Sequence, residues 1–168
     1  NQIKVNNNEL NFFKNIDDLI NLETLEIANN HINIHSFQSN LSHLKHLTLV
    51  DISNNHLESF DILAEIFPRC IEIMYLSGNP VQNLTNLRPL SAFRQLKALR
   101  LQNLPCVNKL IDISGGNHSY DLRIIASYLL FLVPSIVMLD DTPISSGEKS
   151  SAEILFKKQS NGNGNNGN

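Results

Sequence analysis

The sequence contains no tryptophan and only two cysteines in 168 residues, and both scarcities limit what the chain can be. Cys70 and Cys106 cannot form the disulfide framework of a small secreted domain, or the cysteine clusters usual at both ends of secreted repeat proteins. No apolar run approaches the roughly 18 to 20 residues that a membrane-spanning helix needs. The first residues do not resemble a signal peptide. We therefore expect an intracellular protein, cytoplasmic or nuclear, without a membrane partner.

Charge is also sparse, since charged residues make up 17% of the chain and the net charge is −3 at pH 7. A protein that binds nucleic acid through phosphate contacts needs a basic excess, so the composition argues against direct nucleic-acid binding. Hydrophobic residues make up 42%, which is typical of a folded protein. The length favours a single domain.

The chain does contain a recurring pattern, L-x-x-L-x-L-x-x-N-x-L, in which other aliphatic residues replace some leucines. Four copies begin at positions 22, 47, 71 and 96, which are 25, 24 and 25 residues apart. Leucine-rich repeats have periods of about 20 to 29 residues. The fourth copy is degenerate because Leu104 stands where the pattern has asparagine, and a partial copy begins the chain at Ile3. The pattern predicts an α/β leucine-rich-repeat solenoid.

Each part of the pattern has a physical role in this fold. The L-x-L segment is a short strand with alternate residues pointing inward, and equivalent strands pair into a curved parallel sheet on the concave face. The asparagine amide can bond to buried backbone groups where the chain leaves the strand. This predicts a structural ladder of Asn8, Asn30, Asn55 and Asn79.

The links between strands carry apolar residues three or four positions apart, which predicts short helices and turns with one buried face on the convex side. In the first link these residues are Ile16, Leu19 and Ile20. The first repeat lacks its leading leucine, because that residue would precede Asn1. We therefore expect the chain to be a fragment of a longer protein.

The C-terminal part predicts a helical cap that begins near residue 107. A loop over 108–119 with Gly115-Gly116 precedes a helix over 120–133, which Pro134 ends. A last strand is expected over 136–139. A final helix is expected from Glu148 to about Lys158, with Ser145 in a capping box. The predicted domain, about five repeats plus this cap, covers residues 1–158, and residues 159–168 form a low-complexity Asn/Gly tail.

Several segments of the cap resemble the capped, phosphatase-1-regulator-like class of leucine-rich-repeat proteins; these segments are 120–123, 133–136, 139–140 and 148–149. Residues 63–65, 76–79, 88–90 and 96–99 resemble the acidic leucine-rich nuclear phosphoproteins. Residues 107–109 and 147–157 resemble the spliceosomal A-prime protein. The resemblance implies a protein-binding module. It leaves open an adaptor of an RNA-processing or chromatin complex, a ciliary scaffold and a phosphatase regulator.

Candidate catalytic or metal-binding residues are few, and each has a simpler structural interpretation. The pairs His31/His35 and His43/His46 lack further ligands, so surface histidines are expected. Ser146 and Lys149 match a nucleophile motif without its companion motifs, and Gly115-Gly116 lacks the context of a phosphate loop. The paired carboxylates Asp140 and Asp141 follow the expected last strand of the cap, which accounts for them without acid–base catalysis. Cys106 replaces an inward aliphatic residue of its repeat and is expected to be buried. We therefore predict no catalytic residue, no metal and no cofactor.

The concave face offers a better candidate site, because repeats place their variable residues there in rows. Leu49 and Ile73 are expected to point outward from a sheet whose other side is packed, next to Tyr75. Exposed apolar patches of this kind mark partner sites. The competing interpretation of Leu49 and Ile73 is that aliphatic residues simply favour a strand. A further alternative is a purely architectural segment, in which the concave face binds nothing. The predicted residues for binding another protein are Glu26, Leu49, Asp51, Ile73, Tyr75, Lys97 and Arg100.

Overall fold

The computed structural model describes residues 1–12, 14–113 and 118–160. Within these residues seven strands form one sheet in sequence order. The first six are parallel and the seventh is antiparallel to the sixth, and the predicted leucine-rich-repeat solenoid is confirmed. The strands are β1 Gln2–Lys4, β2 Thr24–Glu26, β3 Leu49–Asp51, β4 Ile73–Tyr75, β5 Ala98–Arg100, β6 Met138–Leu139 and β7 Thr142–Pro143.

The middle residue of each three-residue strand points into the core. Leu25, Val50, Met74 and Leu99 pair in register and are buried, whereas the residues on either side of them remain half-exposed. No single repeat can bury its apolar residues alone, so the core is continuous only because the repeats stack. The register follows from the period of the leucines.

The ladder asparagine of each central repeat bonds to two neighbouring turns. The Asn55 side-chain amide donates to the carbonyls of Ile52 at 3.1 Å and Ser53 at 3.2 Å in its own turn. It also donates to the carbonyl of Ile27 at 3.0 Å, and its Oδ1 accepts the N–H of Ile32 at 2.9 Å. One side chain thus satisfies backbone groups that the packing has removed from water.

Asn30 and Asn79 are buried and make the equivalent bonds to the repeats that precede them. Asn8 differs because its turn has no described repeat before it. It is exposed, and the bonds it donates run to Val5 and Asn6 within its own turn. The three buried asparagines therefore connect repeats, whereas Asn8 bonds locally.

The ladder ends at Leu104, which is buried where earlier repeats have asparagine. In those repeats the next asparagine accepts the backbone N–H two residues after the ladder position. The corresponding N–H of Val81 instead donates to the carbonyl of Asn79 at 2.9 Å, and the Val81 carbonyl accepts the N–H of Cys106 at 2.9 Å. Local bonding replaces the ladder where the cap begins.

A second periodic feature precedes each ladder position. The residue there has a left-handed backbone, with φ between 52° and 67°, a conformation that asparagine and glycine adopt more readily than other residues. The predicted repeat pattern contains only the ladder asparagine, and the left-handed backbone of the residue before it was not predicted. The five residues are Asn7, Asn29, Asn54, Gly78 and Asn103.

Gly78 is the member of this set for which a side chain has no room. A Cβ placed on its backbone would lie 1.9 Å from Oδ1 of Asn54, and φ is +67°. We expect Gly78→Ala to lower the free energy of unfolding by about 1–3 kcal/mol, measured by urea denaturation. In an Asn54→Ala background only the backbone strain remains, so the same substitution is expected to cost about 1 kcal/mol. Equal losses in both backgrounds would show that steric overlap plays no part.

The links on the convex side become more helical along the chain. The third link contains helix α1, Asp61–Ile66, and the fourth a 3-10 helix, Leu84–Ala92, whereas the first two are turns. The predicted buried face of the first link is wrong for Leu19 and Ile20, which are 42% and 61% exposed, whereas Ile16 is partly buried against the core. A neighbouring repeat covers these positions in later links, and none precedes the first link in the described residues.

The cap differs from its prediction in the segment before its long helix. Residues 108–119 were expected to form a loop, but α2, Pro105–Ile113, covers the first half and α3, His118–Leu132, begins before the second half ends. Gly115-Gly116 lies outside the described residues. Proline is well suited to the first turn of a helix, because its missing N–H would be unpaired there. Pro105 was therefore an unused start signal for α2.

The rest of the cap agrees with its prediction. Helix α3 ends before Pro134, and α4, Ser146–Ser160, follows β7. The predicted capping box is confirmed: Glu148 accepts the backbone N–H of Ser145 at 2.8 Å, and Ser145 Oγ accepts the N–H of Glu148 at 3.2 Å. The last strand is shorter than expected, and its hairpin with β7 was not predicted.

Across the described ranges, the helices are all too short or too polar to pass through a lipid bilayer.

Candidate binding face

The concave face presents a continuous row of small and apolar side chains across four strands. Leu49 of β3 pairs in register with Ile73 of β4. Ile73 pairs in turn with Ala98 of β5, and Ala98 with Met138 of β6. These four residues are called the apolar row. Adjacent strands lie about 4.8 Å apart, so the row is about 14 Å long. Leu49 and Ile73 are half-exposed and Met138 is 38% exposed.

The placement of Leu49 and Ile73 agrees with the sequence, since neither belongs to the buried core. Ala98 and Met138 extend the patch toward the cap, and the position of Met138 was not predicted. The register of β6 against β5 is set by the packing of the cap, and no repeat pattern covers Met138.

Beside the apolar row runs a polar row of Lys4, Glu26, Asp51, Tyr75 and Arg100, one residue per strand. Lys4 Nζ lies 2.8 Å from Oε1 of Glu26, whose other oxygen accepts the side-chain amide of Asn6 at 3.2 Å. This end of the polar row is therefore neutralised. Exposed ion pairs of this type contribute little stability, so their chief effect is on what the face attracts.

Tyr75 and Arg100 form a unit at the other end of the polar row. The Arg100 guanidinium lies 4.1 Å from the centre of the Tyr75 ring. It donates to Oδ1 of Asp141 from Nε at 2.9 Å and also lies 2.8 Å from it through Nη2. This hydrogen bond raises the pKa of Arg100. One face of the tyrosine is thus covered by a cation that the cap holds in place.

Lys97 was predicted to be a basic residue that contacts the partner beside the patch. Its Nζ lies 2.8 Å from Oε2 of Glu72. Asp51 has a different environment. Its Oδ1 accepts the N–H of Ser53 at 2.9 Å, and the described residues place no cation within ion-pair distance of it. Its register neighbours are Glu26 and Tyr75.

The histidines of the two predicted pairs are exposed, as expected. His31 Nδ1 lies 3.1 Å from Nε2 of His56, one repeat away, and the two exposed rings are nearly parallel. His43 Nε2 bonds to the carbonyl of Asp17 at 2.7 Å. No group of three or more histidine, cysteine, aspartate or glutamate residues suited to a metal occurs in the ranges the structure describes.

The other residues considered for catalysis are buried or occupy turns and helix ends of the cap. Burial raises the pKa of the Cys106 thiol, which keeps it protonated and unreactive. Asp140 and Asp141 form the β6–β7 turn with φ of 48° and 65°. Asp140 Oδ1 accepts the N–H of Leu101 at 2.7 Å, and burial raises the pKa of this carboxyl. Ser146 begins α4, and Lys149 follows one turn later.

Comparisons with known proteins show similarity of fold. A chain of the Drosophila melanogaster SNF/U2A′ complex matches with a TM-score of 0.70 and 21% identity, over 95% of this chain and 84% of that one. The Mex67:Mtr2 structure from Chaetomium matches with a TM-score of 0.44 and 22% identity, over 66% of this chain and 69% of that one. An internalin from Listeria monocytogenes matches with a TM-score of 0.44 and 19% identity, over 78% and 32%.

No protein-family model matches the sequence, and no curated protein matches it significantly. The similarity to a chain of the SNF/U2A′ complex agrees with the A-prime resemblance seen in the cap. At 21% identity it establishes the leucine-rich-repeat fold.

Proposed function

We propose that this chain is an intracellular protein-binding module that holds a helix or small domain of another protein against its concave face. The observation that carries the proposal is the apolar row, in which Leu49 and Ile73 remain half-exposed on a sheet whose other face is fully packed. A soluble domain has no structural need for such a row, and contact surfaces place apolar residues at their centre.

The charges around the apolar row support the same function. Ion pairs at Glu26, Lys97 and Arg100 hold polar groups in fixed positions beside the row. Fixed charges at the rim orient a partner and exclude others more than they increase affinity. The similar Drosophila chain comes from a complex named for two proteins, SNF and U2A′, which supports a protein as partner here too.

The cellular role within this class follows from the same resemblance. We favour an adaptor or scaffold, with a subunit of an RNA-processing or chromatin complex, or a phosphatase regulator, as the specific forms. A cytoplasmic or nuclear location is consistent with two free cysteines, Cys70 and Cys106. Catalysis has less support, because Lys4, Glu26 and Arg100 of the concave face are engaged in ion pairs beside an open sheet.

The double substitution Leu49→Lys and Ile73→Glu tests the proposal. It puts opposite charges on adjacent strands, so net charge is kept and repulsion within the sheet is avoided. We expect the variant to lose the proteins that wild type co-purifies from cells, measured by quantitative mass spectrometry. The free energy of unfolding should change by less than about 1 kcal/mol, because both residues lie outside the core.

The matched control places the same two charges on exposed aliphatic residues outside the concave face, as Leu19→Lys with Ile20→Glu. This variant is expected to retain the wild-type set of proteins. If the concave variant and the control keep the same partners as wild type, the concave face is not the binding surface.

A further inference from the structure

We infer that the partner places a lysine or arginine side chain against Asp51, directly beside the apolar residues that contact Leu49 and Ile73. This inference rests on the proposed function, because it assumes that a protein segment covers the concave face. It specifies the chemistry of that segment.

Asp51 differs from the neighbouring carboxylates in its ion pairing. Glu26 is paired with Lys4 at 2.8 Å, Glu72 with Lys97 at 2.8 Å, and Asp141 with Arg100 at 2.8 Å. Within the polar row, Asp51 is the carboxylate that lacks an ion pair to any described residue, and its register neighbour Glu26 is a second carboxylate. Lys4, Glu26 and Asp51 together carry a net charge of −1.

No cation of the described residues forms an ion pair with Asp51, although the charge of Arg100 attracts it from a longer distance. Arg100 is two strands away, donates to Asp141 and rests on the ring of Tyr75, which separates it from Asp51 in the polar row. Lys4 is two strands away on the other side and contacts Glu26. Reassigning either cation to Asp51 would break an existing ion pair.

A partner that buries the apolar row also affects the solvation of the unpaired Asp51 carboxylate. Asp51 is two residues from Leu49 on the same strand and face, so a partner that covers Leu49 also removes water from the carboxylate. A desolvated carboxylate without a cation opposes binding strongly, whereas one that meets a lysine or arginine recovers part of the lost solvation through the attraction of the two charges. Ser53 supplies one hydrogen bond to Asp51, which solvates the carboxylate without neutralising it. A partner with an apolar or acidic residue at this point is therefore disfavoured.

A random library of 16-residue peptides displayed on phage provides a test that needs no known partner. The baits are wild type, Asp51→Asn, the Leu49→Lys/Ile73→Glu variant, and Asp18→Asn as a control that removes one exposed carboxylate elsewhere. Wild type and the Asp18 variant are expected to enrich peptides with lysine or arginine next to apolar residues. Asp51→Asn should enrich apolar residues without the basic preference.

A peptide selected on wild type then gives the quantitative test by calorimetry. Changing its basic residue to methionine is expected to weaken binding to wild type about tenfold or more, and binding to Asp51→Asn much less. If wild type enriches apolar peptides without a basic preference, or both proteins respond equally to that change, the inference about Asp51 is wrong and the proposed function stands. If wild type enriches no more than the Leu49→Lys/Ile73→Glu variant does, the proposed function itself fails.

Discussion

Replacing Asn55 with alanine is expected to lower the free energy of unfolding by about 3–5 kcal/mol, measured by urea denaturation followed by circular dichroism. The side chain bonds to four backbone groups, and those of Ile27 and Ile32 belong to the preceding repeat. Alanine would leave the buried N–H of Ile32 without its partner, which costs about 1–3 kcal/mol. It would also remove one of two hydrogen bonds from each of the three carbonyls, at about 0.5–1.5 kcal/mol per bond, because Asn30, Asn79 and the N–H of Asn29 still donate to them.

Asn8→Ala is the natural comparison, because Asn8 holds the same position in the first repeat. Its side chain is exposed and donates to Val5 and Asn6, whose carbonyls water can bond when the amide is gone. We expect a loss below about 1 kcal/mol for this variant. Similar losses at Asn8 and Asn55 would mean that the asparagines act through turn conformation alone, and not through bonds between repeats.

Replacing Leu129 with alanine is expected to cost about 2–5 kcal/mol, because Leu129 is fully buried in α3, where this helix completes the core beyond the last repeat. A solenoid exposes its apolar interior at an end that lacks a cap. The weakened cap should therefore open before the rest of the molecule. Hydrogen exchange should speed up in β5 and β6 more than in β2 and β3.

Ile124→Ala, on the same helix, provides the control. Ile124 is 48% exposed, and alanine favours helix more than isoleucine does, so its stability should stay within about 0.5 kcal/mol of wild type. Uniform acceleration of exchange across all strands in Leu129→Ala would show that the cap and the repeats unfold as one unit.

The sequence allowed the sheet to be predicted almost residue by residue. Leu25, Val50, Met74 and Leu99 are in register because the same local pattern recurs every 24 or 25 residues, and each copy has the same inward positions. The outward positions follow from alternation along a strand. The positions of Leu49 and Ile73 on the concave face were therefore predictable before any coordinates.

The cap and the charges were less predictable. Pro105 starts α2, but it follows a degenerate repeat, so the repeat pattern gave no register there. Met138 joins the apolar row through the pairing of β6 with β5. Arg100 was predicted to be a charge beside the patch, but its bond to Asp141, which lies 41 residues further along the chain, was not predicted. No local pattern connects residues at that separation.

The sequence by itself determined the period, the inward and outward faces and the asparagine positions, because each depends on contacts that repeat identically from one unit to the next. Only the tertiary structure decided which charges of the polar row are paired and that Asp51 is left without an ion pair in the described part of the chain. Ion pairs depend on distances of a few ångström between side chains whose backbones are brought together by the stack and its cap. Asp51 is distinguished by this arrangement, since Glu26, its neighbour in the polar row, has Lys4 as a partner and Asp51 has none among the described residues.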